Sequence, residues 1–114
     1  MIDVKKEGIT KEVVDQWYSE WEVLREQIHV AHNARNGEAK DLMERGIVNF
    51  LNFVVGASDI DEYDATADYE VLPINGKERI AFIQAKPGQY ACYRQLDELY
   101  KETKKRCARL RLKS

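Results

Sequence analysis

The sequence predicts an all-α fold: a small bundle of three long helices and one short helix. Three observations carry this. Apolar residues recur at spacings of three and four in two stretches of the first half and one at the end. Each stretch is polar on its other side, so the three helices should pack on one another. Only Asn36-Gly37 separates the first two stretches, which makes them an antiparallel hairpin at the N-terminus.

The first helix is marked by Val14, Trp17, Trp21, Leu24, Ile28 and Ala31, with Val13 and Tyr18 widening the stripe. Thr10 is its N-cap, because a hydroxyl there accepts from a first-turn amide. Asn36 and Gly37 both tolerate left-handed backbone and end it. A second helix follows from about Glu38 to Val55, with Leu42, Met43, Ile47, Phe50, Leu51 and Val54 on its apolar face and Gly56 as its stop. Gly46, inside that helix, has two readings. It is either a tolerated surface glycine, costing about 1 kcal/mol relative to alanine, or a place where another helix comes close.

Residues 57–74 form an acidic loop. Tyr69–Ile74 has strand-like composition but no pairing partner, so an extended course is expected. Asn75 followed by Glu78 resembles a capping box that opens a short third helix through Ile80 and Ile83. Lys86 precedes proline and so avoids helical angles. Pro87 then suits the first turn of a fourth helix. That helix carries Cys92, Leu96, Leu99, Thr103, Cys107 and Leu110 on one face.

The 114 residues make one domain, 1–114. A composition 44% hydrophobic and 33% charged belongs to a globular chain rather than a disordered one. The longest apolar run, "GIVNFLNFVVGA", is too short for a bilayer, and the N-terminus has no apolar leader segment. A cytoplasmic location is therefore expected. Cys92 and Cys107 lie roughly 22 Å apart along one helix, at ~1.5 Å per residue, well beyond disulfide reach, and should be unpaired.

The net charge of −2 conceals two poles. Residues 59–76 hold six acidic side chains and no basic one, and residues 101–114 hold seven basic and one acidic. Counting Asp59 as the first ligand of a calcium loop, Asp61 and Glu70 fall at later ligand positions, but Tyr63 and Asp64 stand where a ligand and a glycine are needed. A solvated acidic connection is the expected state. Glu26, His29 and His32 have the spacing used in di-iron bundles, but His29 lies off the apolar seam and a second motif is absent. No metal and no cofactor are expected, nor any catalytic set.

The basic end, "KETKKRCARLRLKS", is the candidate surface. Lys104, Lys105, Arg106, Arg109 and Arg111 fan round the side of the helix opposite Cys107 and Leu110. They are the candidate residues for a protein partner or for phosphate. The plain alternative is a solvated helix end favoured by the dipole. No oligomeric state is predicted.

Leu72-Pro73, Asn75, Glu78-Arg79, Phe82-Ile83, Pro87, Tyr90, Gln95-Leu96, Leu99 and Glu102 resemble the YpoC-like family of Gram-positive bacteria. That resemblance implies a small helical cytoplasmic protein and supplies no catalytic residue. The expected function is a non-enzymatic protein-interaction module. The alternatives are nucleic-acid binding through the basic helix and a metal-dependent helical-bundle enzyme using Glu26, His29 and His32 with carboxylates of the acidic loop.

Overall fold

The computed structural model describes residues 1–35 and 37–113. A 3-10 turn at Lys6–Ile9 precedes four helices: α1 at Lys11–Ala34, α2 at Glu38–Ser58, α3 at Gly76–Ala85 and α4 at Tyr90–Leu112. Among the described residues no strand forms. A single parallel bridge joins Ile2 to Tyr69, giving the strand-like stretch a partner at one residue.

Helix α1 opens on Thr10, whose hydroxyl accepts the Val13 N–H at 3.3 Å. Val14, Trp17, Trp21, Ile28 and Ala31 are buried, and Leu24 and Tyr18 pack at the edge of the core. Val13 instead faces outward. The helix ends at Arg35, which takes the left-handed conformation (φ 53°) and donates its N–H to His32. The predicted stop at Asn36 lies outside the described residues. Gly37, also left-handed (φ 80°), opens α2.

Helix α2 does not stop at Gly56. It continues to Ser58 and closes on left-handed Asp59. The physical reason is the N-terminal segment: Ala57 is buried, and its carbonyl accepts the Lys5 N–H at 2.6 Å. Gly8, in the 3-10 turn, sits directly on the α2 backbone there. A Cβ on Gly8 would lie 2.7 Å from both Ala57 Cα and the Gly56 carbonyl oxygen. Gly46 is a site of close approach. A Cβ there would meet Trp21 Cζ3 at 2.8 Å and Leu96 Cδ2 at 3.2 Å, so α1, α2 and α4 converge on it.

Two helix starts differ from expectation. Asn75 is left-handed (φ 56°), and its side chain makes no cap bond, so the predicted capping box is not formed; its carbonyl accepts the Arg79 N–H instead. Pro87 is not in α4. The Gln89 N–H donates to the Lys86 carbonyl at 3.1 Å, closing a turn over Pro87 and Gly88, and the helix begins at Tyr90. Proline at the second position of such a turn fits its fixed φ. Beyond that point the α4 seam is as predicted, with Cys92, Leu96, Leu99, Thr103, Cys107 and Leu110 all buried. Tyr93 and Tyr100 join them.

One apolar cluster draws side chains from all four helices, the 3-10 turn and the end of the loop. Its centre is aromatic. Trp21 stacks on Tyr100 at 4.2 Å, Trp17 stacks on Phe53 at 4.1 Å, and Phe50 meets Tyr100 edge-on at 5.1 Å. Such pairs add to area burial because ring quadrupoles align favourably. The Tyr100 hydroxyl donates to the Gly46 carbonyl at 2.5 Å and accepts from Asn49 at 3.1 Å, so this buried polar group is satisfied. Both cysteines are buried and unpaired. No helix among the described residues is long and apolar enough to cross a membrane.

Candidate interaction surface

The acidic loop is a fastening between the N-terminal segment and the C-terminal helices. Glu70 accepts the Val4 N–H at 2.9 Å, and its own carbonyl accepts from Arg106 Nε at 2.5 Å. Asp64 closes a small turn by accepting from the Thr66 amide and hydroxyl. Asp59 pairs with Lys5 at 3.1 Å and Asp68 with Lys77 at 3.1 Å. Tyr69, Val71 and Leu72 are buried beneath, so the stretch is only in part the solvated connection predicted. Asp59, Asp64, Asp68 and Glu70 thus turn to separate partners. Among the described residues, no group of three or more His, Cys, Asp or Glu is placed to hold a metal ion.

The Glu26, His29 and His32 set does not converge either. His29 lies at the surface beside Asn33, 3.3 Å away. His32 is half-buried, edge-on to Tyr90 at 5.3 Å, with Tyr93 at 5.8 Å. Its Nε2 is buried without a hydrogen-bond partner among the described residues.

Two polar clasps position α4. Arg79 of α3 grips Glu102 through two nitrogens, at 2.6 and 3.0 Å, and donates from Nε to Gln95 at 3.0 Å. A planar guanidinium suits this fork geometry. Asp97 receives the Trp21 indole N–H at 3.0 Å, Arg25 at 3.3 Å and Lys101 at 3.0 Å. Burial pushes the Asp97 carboxyl up, but the hydrogen bonds from Trp21, Lys101 and Arg25 outweigh it and hold the group below its ordinary range. The Arg79 hydrogen bonds likewise lower Glu102, and the Val4 amide lowers Glu70.

Folded-state values below the unfolded ones give stability that is full above the ordinary carboxylate range of about 4. That stability is lost as pH falls through the folded values. The melting-temperature difference between wild type and Asp97→Asn should therefore be largest near neutrality and shrink on acidification. Parallel melting curves from pH 7 to pH 3 would show that Asp97 is not held in its charged form.

The five basic residues predicted on α4 divide into two groups. Arg106 and Arg111 do not fan outward. Arg106 reaches the Glu70 carbonyl, and Arg111 reaches the Ile9 carbonyl at 2.9 Å, so both bind the helix to the rest of the chain. The reason is local supply: each finds a backbone carbonyl brought beside α4 by the loop or by the 3-10 turn. Lys104, Lys105 and Arg109 stay on the outer side. Lys104 Nζ lies 4.4 Å from the centre of the Tyr18 ring, a cation–π contact to α1. Lys105 and Arg109 are exposed and have no ion pair or hydrogen bond among the described residues. Tyr18 and Ala108, rimmed by Lys101, Lys104 and Lys105, line a shallow depression of about 320 Å³ between α1 and α4. Tyr18 was legible only as a flanking member of the α1 stripe. Its pairing with Lys104 required the helix crossing.

Cys107, among these cations, is closed off. Burial pushes its thiol up to about 12, against the opposing pull of Arg111 and Arg106. A thiolate nucleophile is therefore disfavoured at neutral pH.

Fold and surface together define a small all-α protein that carries a basic outer edge on its last helix. Residues 11–114 match the YpoC-like protein family, and the chain belongs to that family. Over 37 residues it is 57% identical to a protein of Bacillus subtilis (strain 168) called Uncharacterized protein YpoC; the aligned stretch is 32% of this chain and 23% of that relative. No solved structure matches the chain.

Proposed function

We propose that this chain is a non-enzymatic protein-interaction module, a single domain whose N-terminal antiparallel hairpin supports α4. In this reading, the outer edge of α4 docks an acidic partner in the cytoplasm. The observation that carries the reading is the depression at Tyr18, where Lys104 and Lys105 stand over an apolar floor with Arg109 close by on the same helix. An aromatic and aliphatic floor inside a cationic rim suits a partner that offers a carboxylate-flanked apolar side chain. Phosphate backbone is the second reading, favoured by the exposed, unpaired state of Lys105 and Arg109.

The test is affinity capture from the source cell's lysate with wild type and with Lys104→Glu/Lys105→Glu/Arg109→Glu. The protein reading expects a captured protein that resists nuclease and falls at least about tenfold in the variant, as expected when close charge pairs are reversed. Loss on nuclease treatment would transfer the surface to nucleic acid. Equal capture by wild type and variant would remove α4 from the interaction.

A further inference from the structure

A second surface lies on the other flank of α1. Val23 and Val30 of α1 and Val48 of α2 are 61, 55 and 56% exposed. Single exposed valines are ordinary, but Val30 lines one of two depressions between α1 and α2, and Val23 lies on α1 between them. At one end, Val13 and Glu20 of α1 face Asn49 and Asn52 of α2 across a depression of about 460 Å³. At the other end, Val30 and Glu26 face Leu42 and Arg45 across a depression of about 340 Å³. Gln16, Val23 and Val30 are seven residues apart, a step that drifts only about 20° on a straight helix, so one row links the two ends. From Val13 to Val30 the trough runs about 25 Å along α1 at ~1.5 Å per residue.

Its charge has one dominant sign. Glu12, Glu20 and Glu26 of α1 line the two depressions, against Arg45 alone among the Lys and Arg residues. A helix laid in such a trough would set apolar side chains between the valines and place its flanks beside carboxylates. A second copy offering the same face would set acid against acid. We infer that the α1–α2 trough docks an amphipathic helix with basic flanks from another protein, independently of the α4 edge. Trp17 and Phe53 line the trough, and the buried Trp17 indole N–H has no acceptor among the described residues. Trp17 is therefore a built-in reporter.

The test uses a synthetic peptide of about 18 residues, enough for five helical turns, with a leucine stripe flanked by Lys and Arg. A control carries the same stripe flanked by Glu. Binding is followed by anisotropy of the labelled peptides, by Trp17 emission and by amide chemical shifts. The basic peptide is expected to bind saturably and at least about tenfold tighter than the acidic one, as complementary flanks require. Shifts should concentrate on the α1–α2 trough, and the emission change should vanish in Trp17→Phe. Val23→Asp/Val30→Asp should weaken binding at least about tenfold, since it places charge in the apolar seat, with an unchanged melting temperature. Glu20→Lys/Glu26→Lys should reverse the preference between peptides. Equal affinities, no binding of either peptide, or shifts confined to α4 would overturn the inference. So would a concentration-dependent dimer dissolved by Val30→Asp, which would give the face to a second copy.

Discussion

Replacing Trp21 with alanine is expected to destabilise the protein by about 3–5 kcal/mol, the usual cost of emptying a fully buried indole site. That is a large fraction of the about 5–15 kcal/mol that holds a typical domain together. Trp21 has no exposed surface. Its ring stacks on Tyr100 with 4° between the two planes, and lies over the gap left by Gly46. Alanine would open a cavity at the meeting point of three helices and remove the indole donor from Asp97. Phenylalanine would keep most of the packing and lose the charge-assisted hydrogen bond, so Trp21→Phe should cost about 1.5–3 kcal/mol. Urea unfolding followed by circular dichroism measures both. A loss below about 1 kcal/mol for the alanine variant, far under the range for aromatic truncation in a core, would mean that α1 does not insert its seam between α2 and α4.

Gly8→Ala is expected to be the second most damaging change, at about 1–3 kcal/mol for overpacking that cannot relax. The obstruction is backbone. Two atoms of α2 lie 2.7 Å from the position of the new Cβ, and neither is the end of a flexible side chain. The 3-10 turn would have to lift, drawing Ile9 out of the core and weakening the Lys5 bond to Ala57. Gly56→Ala is the contrast. Nothing lies within 4 Å of a Cβ there, and the residue is inside a helix, so alanine should stabilise by about 1 kcal/mol. If both variants melt alike, the 3-10 turn is not seated on α2.

These two glycines show where sequence reading succeeds and where it stops. Periodicity identified the α1 and α4 seams because each burial partner is a long regular element, and a stripe at spacings of three and four has one way to be covered. The same pattern could not decide Gly46, since tolerated and crowded glycines look alike until a facing ring is placed. It misread Gly56 as a stop because the cover for Ala57 comes from residues 5–8, a segment with no period. Pro87 and Asn75 were read from local preference, and in each case a backbone hydrogen bond chose a different turn. On the candidate surface, the cluster of cations on α4 was plain in the sequence. The diversion of Arg106 and Arg111 was not, because their carbonyl partners lie 36 and 102 residues away. The trough between α1 and α2 was hidden for another reason: Val13 was read as part of the apolar stripe, while Val23 and Val30 alternate with Gln and Glu along their face.

The tie between the two ends has a consequence for biosynthesis. Arg111 holds the Ile9 carbonyl, and Lys6 holds the Lys113 carbonyl. A ribosome delivers Ile9 first and Arg111 a further 102 residues later. At about 5–20 residues per second, the opening segment waits about 5–20 s for this clamp. During that interval α1 and α2 can pair, but Ile9, completely enclosed in the finished protein, lacks part of its cover. A chain lacking the last turns of α4 would therefore leave residues 6–9 without part of their cover. Completion of α4, more than the making of the hairpin, is what closes the core around Ile9.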